Sequence, residues 1–256
     1  MRITQVRNAT LRIEFGGVRF LIDPMLGEKG AYPAFKGTEN SHLSNPTVPL
    51  PLPLDAILDV DAVIVTHTHI DHWDEAAAKA LPKAIPLFAQ HEQDAGLIRD
   101  AGFADVRLLG EQAEFGGVSL AKTGGQHGTD AAYEAIGDRL GKVCGVVFRH
   151  PREKALYIAG DTVWNRHVEA AVARHRPDII VLNAGDAQII GLGSIIMGAG
   201  DVLAVHRAAP EATLIASHME AANHCMLTRA ELRRFAEREG FAACLHVPED
   251  GETLTL

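Results

Sequence analysis

The sequence predicts a mixed α/β fold with two β-sheets between outer layers of helix, and three observations lead there. Two Gly-Gly pairs are each flanked by alternating apolar and polar residues, which marks β-hairpins. Short apolar runs alternate with helix-compatible stretches over most of the remaining chain, the pattern of strand-helix units. Four residues with metal-binding side chains, His67, His69, Asp71 and His72, fall within six positions directly after one of those runs.

Taken in order, residues 10–15 and 18–22 alternate around Gly16-Gly17 and read as a hairpin closed by a type I′ turn, in which glycine supplies the positive φ. The pentapeptide Glu-Phe-Gly-Gly-Val at 14–18 recurs at 114–118, and the strand character continues to Lys122, which raises an internal repeat as an expectation. Between the two copies, strands at 62–66, 85–89 and 105–109 alternate with helices at 74–81 and 91–101. Strands near 143–150, 154–159, 178–183, 212–217 and 242–247 then flank helices near 164–175, 200–208 and 228–239. The last helix is the best signalled, with Thr228 and Glu231 forming a capping box and Gly240 stopping it. Residues 24–53 hold six of the twelve prolines and show no periodicity, so they read as an ordered excursion. Long loops in compact domains serve as lids or binding elements as often as structural wraps, which makes Tyr32, Phe35, His42 and Asn45 candidates to border a pocket.

At 256 residues and 47% apolar content, the chain can bury a substantial core, and one domain over 1–256 is expected. A net charge of -9 argues against a broad nucleic-acid or membrane surface and leaves small molecules as substrates. Cys144, Cys225 and Cys244 lack metal-site spacing and are odd in number, which fits buried apolar thiols in a reducing compartment. With neither a signal-peptide pattern nor a long apolar run, a cytoplasmic location is expected. The oligomeric state is open, a homo-oligomer included.

The cluster at 67–72 calls for a cation. Three imidazoles and a carboxylate this close compete for hydrogen bonds unless a divalent metal organises them. On an extended backbone His67 and His69 share a face, while Asp71 and His72 project elsewhere as the chain turns, so the spacing suits two ions better than one. Nitrogen and oxygen donors together suit zinc, with manganese or iron as substitutes. A polar helix start, capped by Asp71 or Asp74, would account for one of these residues and not for four.

Four side chains cannot fill two coordination spheres, and three further places qualify. His127 lies among glycines after a strand, Asp161 follows the apolar run ending at Ile158, and His218 follows the one ending at Ile215. With His67-x-His69-x-Asp71-His72, His127, Gly160-Asp161-Thr162 and His218 in place, the chain resembles the metallo-β-lactamase superfamily, and within it the group that includes the bacterial ascorbate 6-phosphate lactonase. The resemblance implies a four-layer αββα sandwich. It implies a first ion on His67, His69 and His127, a second on Asp71, His72 and His218, and Asp161 bridging them. His224 and His246 are rivals of His218 for the last ligand position. His224 has an alternative role as a donor to substrate. Asp23 reads as a fold-supporting residue able to orient a ligating histidine. His42, His91, His150, His167, His175 and His206 are assigned no chemistry.

Two cations would lower the pKa of a bridging water from about 16 toward about 7. The expected reaction is therefore hydrolysis of a small ester, lactone or phosphoester by a metal-bridging hydroxide, with Asp71 relaying its proton and His224 steadying the developing anion. The rivals are a mononuclear iron dioxygenase acting on a thiol or persulfide, and a metal-binding module without catalysis.

Overall fold

In the computed structural model, which describes residues 1–256, the chain opens as an antiparallel meander of β1 (Arg2–Arg7), β2 (Thr10–Phe15) and β3 (Val18–Ile22). Gly16 and Gly17 take φ of 61° and 87°, as a type I′ turn requires. Then come α1 (Leu54–Leu58), β4 (Ala62–Val65), α2 (Glu75–Ala80), β5 (Leu87–Ala89), α3 (Glu92–Asp100) and β6 (Val106–Leu108). The second half begins with β7 (Ala113–Phe115) and β8 (Val118–Gly124), followed by α4 (Asp130–Leu140), β9 (Cys144–Arg149), β10 (Leu156–Ile158), α5 (Arg166–His175) and β11 (Ile179–Asn183). It closes with β12 (Gln188–Ile189), β13 (Gly193–Ser194), α6 (Ala199–Ala208), β14 (Thr213–Ser217), α7 (Arg229–Glu239), β15 (Leu245–His246) and β16 (Thr253–Thr255).

Two seven-stranded sheets result, in the orders β16-β1-β2-β3-β4-β5-β6 and β15-β14-β11-β10-β9-β8-β7. Strand alternation decides what each face buries. Leu11, Ile13 and Phe15 of β2 meet Leu120, Val146 and Phe148 of the other sheet in the core between the sheets. The outer face of the first sheet, with Val63, Val65 and Leu87, is covered by Ala77 of α2 and by Ala95 and Ile98 of α3. The outer face of the second, with Ile180, Leu182 and Leu214, is covered by Val168, Val202 and Leu232 of α5, α6 and α7. Helix, sheet, sheet and helix are the four layers of an αββα sandwich. No helix is long and apolar enough to cross a membrane.

Each sheet joins an antiparallel part to a parallel part. The change falls at β3 in one, where β3, β4, β5 and β6 run parallel, and at β10 in the other, where β10, β11, β14 and β15 do. Counted from those junctions, β2 and β3 match β9 and β10, whereas β7 and β8 match β16 and β1. The two Glu-Phe-Gly-Gly-Val turns therefore stand at different places in the topology, and the expected repeat is one turn chemistry used twice.

Other departures from the sequence reading are local. Residues 242–244 form a single 3-10 turn, and only Leu245–His246 pairs as a strand. Helices α1 and α4 and strands β1, β12, β13 and β16 lie outside the elements expected from the sequence. Residues 24–53 contain neither helix nor strand, yet they are tied down by Arg7. Its buried guanidinium donates to the carbonyls of Met25, Gly27 and Val48 at 2.8, 2.8 and 3.1 Å, which satisfies a charge that burial would otherwise make costly.

Candidate metal centre

The groups singled out in the sequence converge at one end of the sandwich because each follows a strand. β4 delivers His67, β8 delivers His127, β10 delivers Asp161 and β14 delivers His218. After His69 the chain turns sharply, with His72 N and Trp73 N both donating to His69 O at 2.9 and 2.8 Å. That turn brings the His72 ring centroid to 4.0 Å from that of His67, while the His69 centroid lies 4.6 Å from it. Asp74, not Asp71, caps α2, accepting from Ala77 N at 2.7 Å.

Donor atoms fall into three overlapping groups, each with its atoms within 4.8 Å of one another: His67, His69 and His127; His67, His72 and Asp161; and Asp71, His72 and His218. Asp161 Oδ2 stands between them, 3.9 Å from His67 Nε2, 3.1 Å from His72 Nε2, 3.6 Å from His127 Nε2 and 3.7 Å from His218 Nε2. His218 Nε2 is also 3.3 Å from Asp71 Oδ2. The buried Nε2 atoms of His72 and His218 form no hydrogen bond despite these neighbours. Nitrogens buried beside carboxylates without hydrogen-bond geometry are what a cation-binding set presents, and the imidazole-carboxylate chemistry fits divalent metal.

The surrounding shell fixes the rings. Asp23 accepts from Thr66 N and Thr66 Oγ1, both at 2.7 Å, and from His72 Nδ1 at 2.9 Å, so the end of β3 clamps the end of β4 and orients His72 at once. His127 Nδ1 donates to Ile195 O at 2.8 Å. Asn183 Nδ2 donates to Asp161 Oδ1 at 2.7 Å, which leaves Oδ2 to face the imidazoles. Asp94 accepts from Thr68 Oγ1 at 2.8 Å and steadies the loop between His67 and His69.

Charge and burial pull these groups apart. Burial, with His72 and His69 beside it, holds His67 well below the usual imidazole range, and burial brings His127 down to about 4. For Asp161, burial favours the neutral acid, but His72 and His218 outweigh it and keep the carboxylate ionised. For His72, burial favours the neutral ring, but Asp161 and Asp23 outweigh it and lift it to about 10.

A cavity of about 210 Å³ opens onto the centre. Asp71, Asp161, His69 and His127 form its floor, and Phe35, Ile70, Leu140, Ile189 and Ile195 its walls. His224 lies in the wall with its ring centroid 4.6 Å from that of Phe35. Burial lowers His224 to about 4, and its buried Nδ1 has no partner. His246 is exposed on β15, away from the cluster. Of the loop candidates, Phe35 borders the cavity. Asn45 is buried and bonds to Asn223 at 2.9 Å, Tyr32 packs beside Gly27 and Asp74, and His42 is exposed.

The sequence profile of the β-lactamase superfamily domain matches residues 18–219. The chain is 50% identical to the UPF0173 protein YddR of Bacillus subtilis over the full length of both. It is 24% identical to the UPF0173 metal-dependent hydrolase Atu1317 of Agrobacterium fabrum, again over both full lengths. Among solved structures, the isothiocyanate hydrolase from Delia radicum gut bacteria superposes with a TM-score of 0.97 at 49% identity, covering 100% of this chain and 99% of that one. A possible metal-dependent hydrolase from Veillonella parvula gives a TM-score of 0.98 at 44% identity, with the same coverage.

Proposed function

The chain belongs to the metallo-β-lactamase superfamily of metal-dependent hydrolases, and from that premise we propose that it is a binuclear hydrolase acting on a small neutral electrophile, an isothiocyanate first among them. His67, His69 and His127 would hold one ion, Asp71, His72 and His218 the other, with Asp161 reaching both. Bound there, two divalent cations, zinc foremost and manganese or iron as substitutes, supply electrophilic polarisation and a water acidic enough to attack near neutral pH. Hydrolysis then balances as R–N=C=S plus H₂O giving R–NH₂ plus O=C=S.

The chain's own groups have definable parts in this. The apolar walls, Phe35 and Ile189 among them, take the R group and exclude bulk water. Asp71, buried at the cavity floor, receives the proton of the attacking water on a carboxylate oxygen. His224 is neutral at pH 7, so its ring carries a single N–H, and that N–H donates to the nitrogen or sulfur on which charge develops.

What carries the reading is the pairing of a donor-rich floor with apolar walls in one cavity. Arg139 is the only cationic side chain in the lining, which weighs against a phosphate-bearing lactone or phosphoester. The second donor trio weighs against a single-iron dioxygenase. A panel of isothiocyanates, lactones, esters and phosphodiesters tests the proposal on metal-replete protein. Release of primary amine and carbonyl sulfide, lost on chelation and restored by zinc or manganese, is expected. Turnover confined to lactones or phosphodiesters would replace the isothiocyanate assignment, and full activity without metal would end the metal reading.

A further inference from the structure

Four of the candidate ligand imidazoles rest against oxygen. His72 Nδ1 meets the Asp23 carboxylate at 2.9 Å, His127 Nδ1 the Ile195 carbonyl at 2.8 Å, His69 Nε2 the Arg139 carbonyl at 3.2 Å and His67 Nδ1 the Thr66 hydroxyl at 3.3 Å. His218 rests against sulfur. Its Nδ1 lies 3.6 Å from Cys225 Sγ, and the same sulfur lies 3.6 Å from the His218 carbonyl oxygen. Because His218 Nε2 faces Asp71 and Asp161 in the donor cluster, its Nδ1 carries the proton. Cys225 Sγ accepts a hydrogen bond from that N–H and donates its own S–H to the carbonyl. One thiol thus holds both the ring and the backbone of His218.

The geometry points to Cys225 as the positioning residue for His218, fixing the ring orientation and with it the affinity of the ion site that Asp71, His72 and His218 would form. Three features support this. His218 sits at φ 55°, a left-handed conformation that a non-glycine residue keeps only where its surroundings hold it. Gly185 leaves the room this requires: a Cβ there would stand 2.1 Å from His218 O and 2.9 Å from Cys225 Sγ. Cys225 is itself held in place, by the bridge between Ala187 and Cys225 and by Leu227 N donating to Gly185 O at 3.0 Å. The partners that orient a ligating histidine commonly change metal affinity by about 10- to 100-fold when removed.

This inference rests on the two-ion reading, and cobalt(II) titration of the metal-free full-length chain separates the two. Wild type, Cys225→Ala and the bulkier Cys225→Val are followed by calorimetry and by the visible absorption of each bound equivalent, with circular dichroism confirming the fold. Wild type taking two equivalents is expected. In both variants one equivalent binds about 10- to 100-fold more weakly while the other is unchanged. Two unchanged equivalents in either folded variant would overturn the role of Cys225, and so would equal weakening of both. A wild type that takes one equivalent would instead remove the two-ion reading, and this inference with it.

Discussion

Gly116 and Val18 meet across the two sheets so closely that a Cβ on Gly116 would stand 2.6 Å from Val18 Cγ2. The converse contact holds too, since a Cβ on Gly16 would lie 3.0 Å from Val118 Cγ2. The two hairpin turns press into each other, each glycine against the valine that ends the other's motif. Gly116 and Gly117 both have positive φ, of 58° and 80°, but nothing lies within 4 Å of a Cβ on Gly117. Gly116→Ala should therefore cost stability through strain and overlap together, about 2–4 kcal/mol, and Gly117→Ala through strain alone, about 1 kcal/mol. Urea unfolding midpoints measure both, and equal losses would show that the contact between the turns is immaterial.

Asp23 accepts three hydrogen bonds, and an amide in its place would turn a donor toward at least one of those donors. Asp23→Asn should weaken metal retention by about 10- to 100-fold, with a parallel fall in kcat/KM. Competition with a chromophoric chelator gives the affinity. Wild-type retention would show that Thr66 and His72 keep their places without the carboxylate.

The stability of the metal-free protein should peak near pH 6.5. His127 and His224 are lowered to about 4, chiefly by burial. Each contributes stability that is fully present above about pH 6.5, the ordinary imidazole value, and lost as pH falls through about 4. His72, lifted to about 10 because Asp161 and Asp23 outweigh burial, contributes stability fully present below about pH 6.5 and lost as pH rises through about 10. Thermal midpoints recorded between those limits should trace a dome, and a steady climb with pH would contradict the His72 assignment.

His224 forms no hydrogen bond through its buried Nδ1 and packs on Phe35, so its loss should leave the donor cluster intact. His224→Gln is expected to lower kcat by about 100-fold with little change in KM, at unchanged metal content. A rise in KM alone would make it a binding wall and not a donor.

How much of this could be read beforehand depended on residue type. His67, His69, Asp71 and His72 announce themselves by density, and His127, Asp161 and His218 by standing just past apolar strands. Asn183 stands in the same kind of place, at the end of β11, but an amide is not ligand chemistry, so its bond to Asp161 was invisible. Leu140, Ile189 and Ile195 look like any core residue in sequence, and only folding turns them onto a cavity. Cys225 reads as a buried apolar thiol until His218 is brought beside it. The four layers were legible because strand and helix periodicities alternate cleanly. The places of the two Gly-Gly turns in the sheets were not, because a turn's chemistry is local and strand order is not.

The candidate ligands come from the ends of strands in both sheets, His67 from the first and His127, Asp161 and His218 from the second. Any ion they share is a rivet through the two halves of the sandwich, and the halves cannot part without letting it go. Free metal concentration in solution then becomes a dial on thermal resistance: each tenfold rise above the dissociation constant adds about 1.4 kcal/mol per ion held.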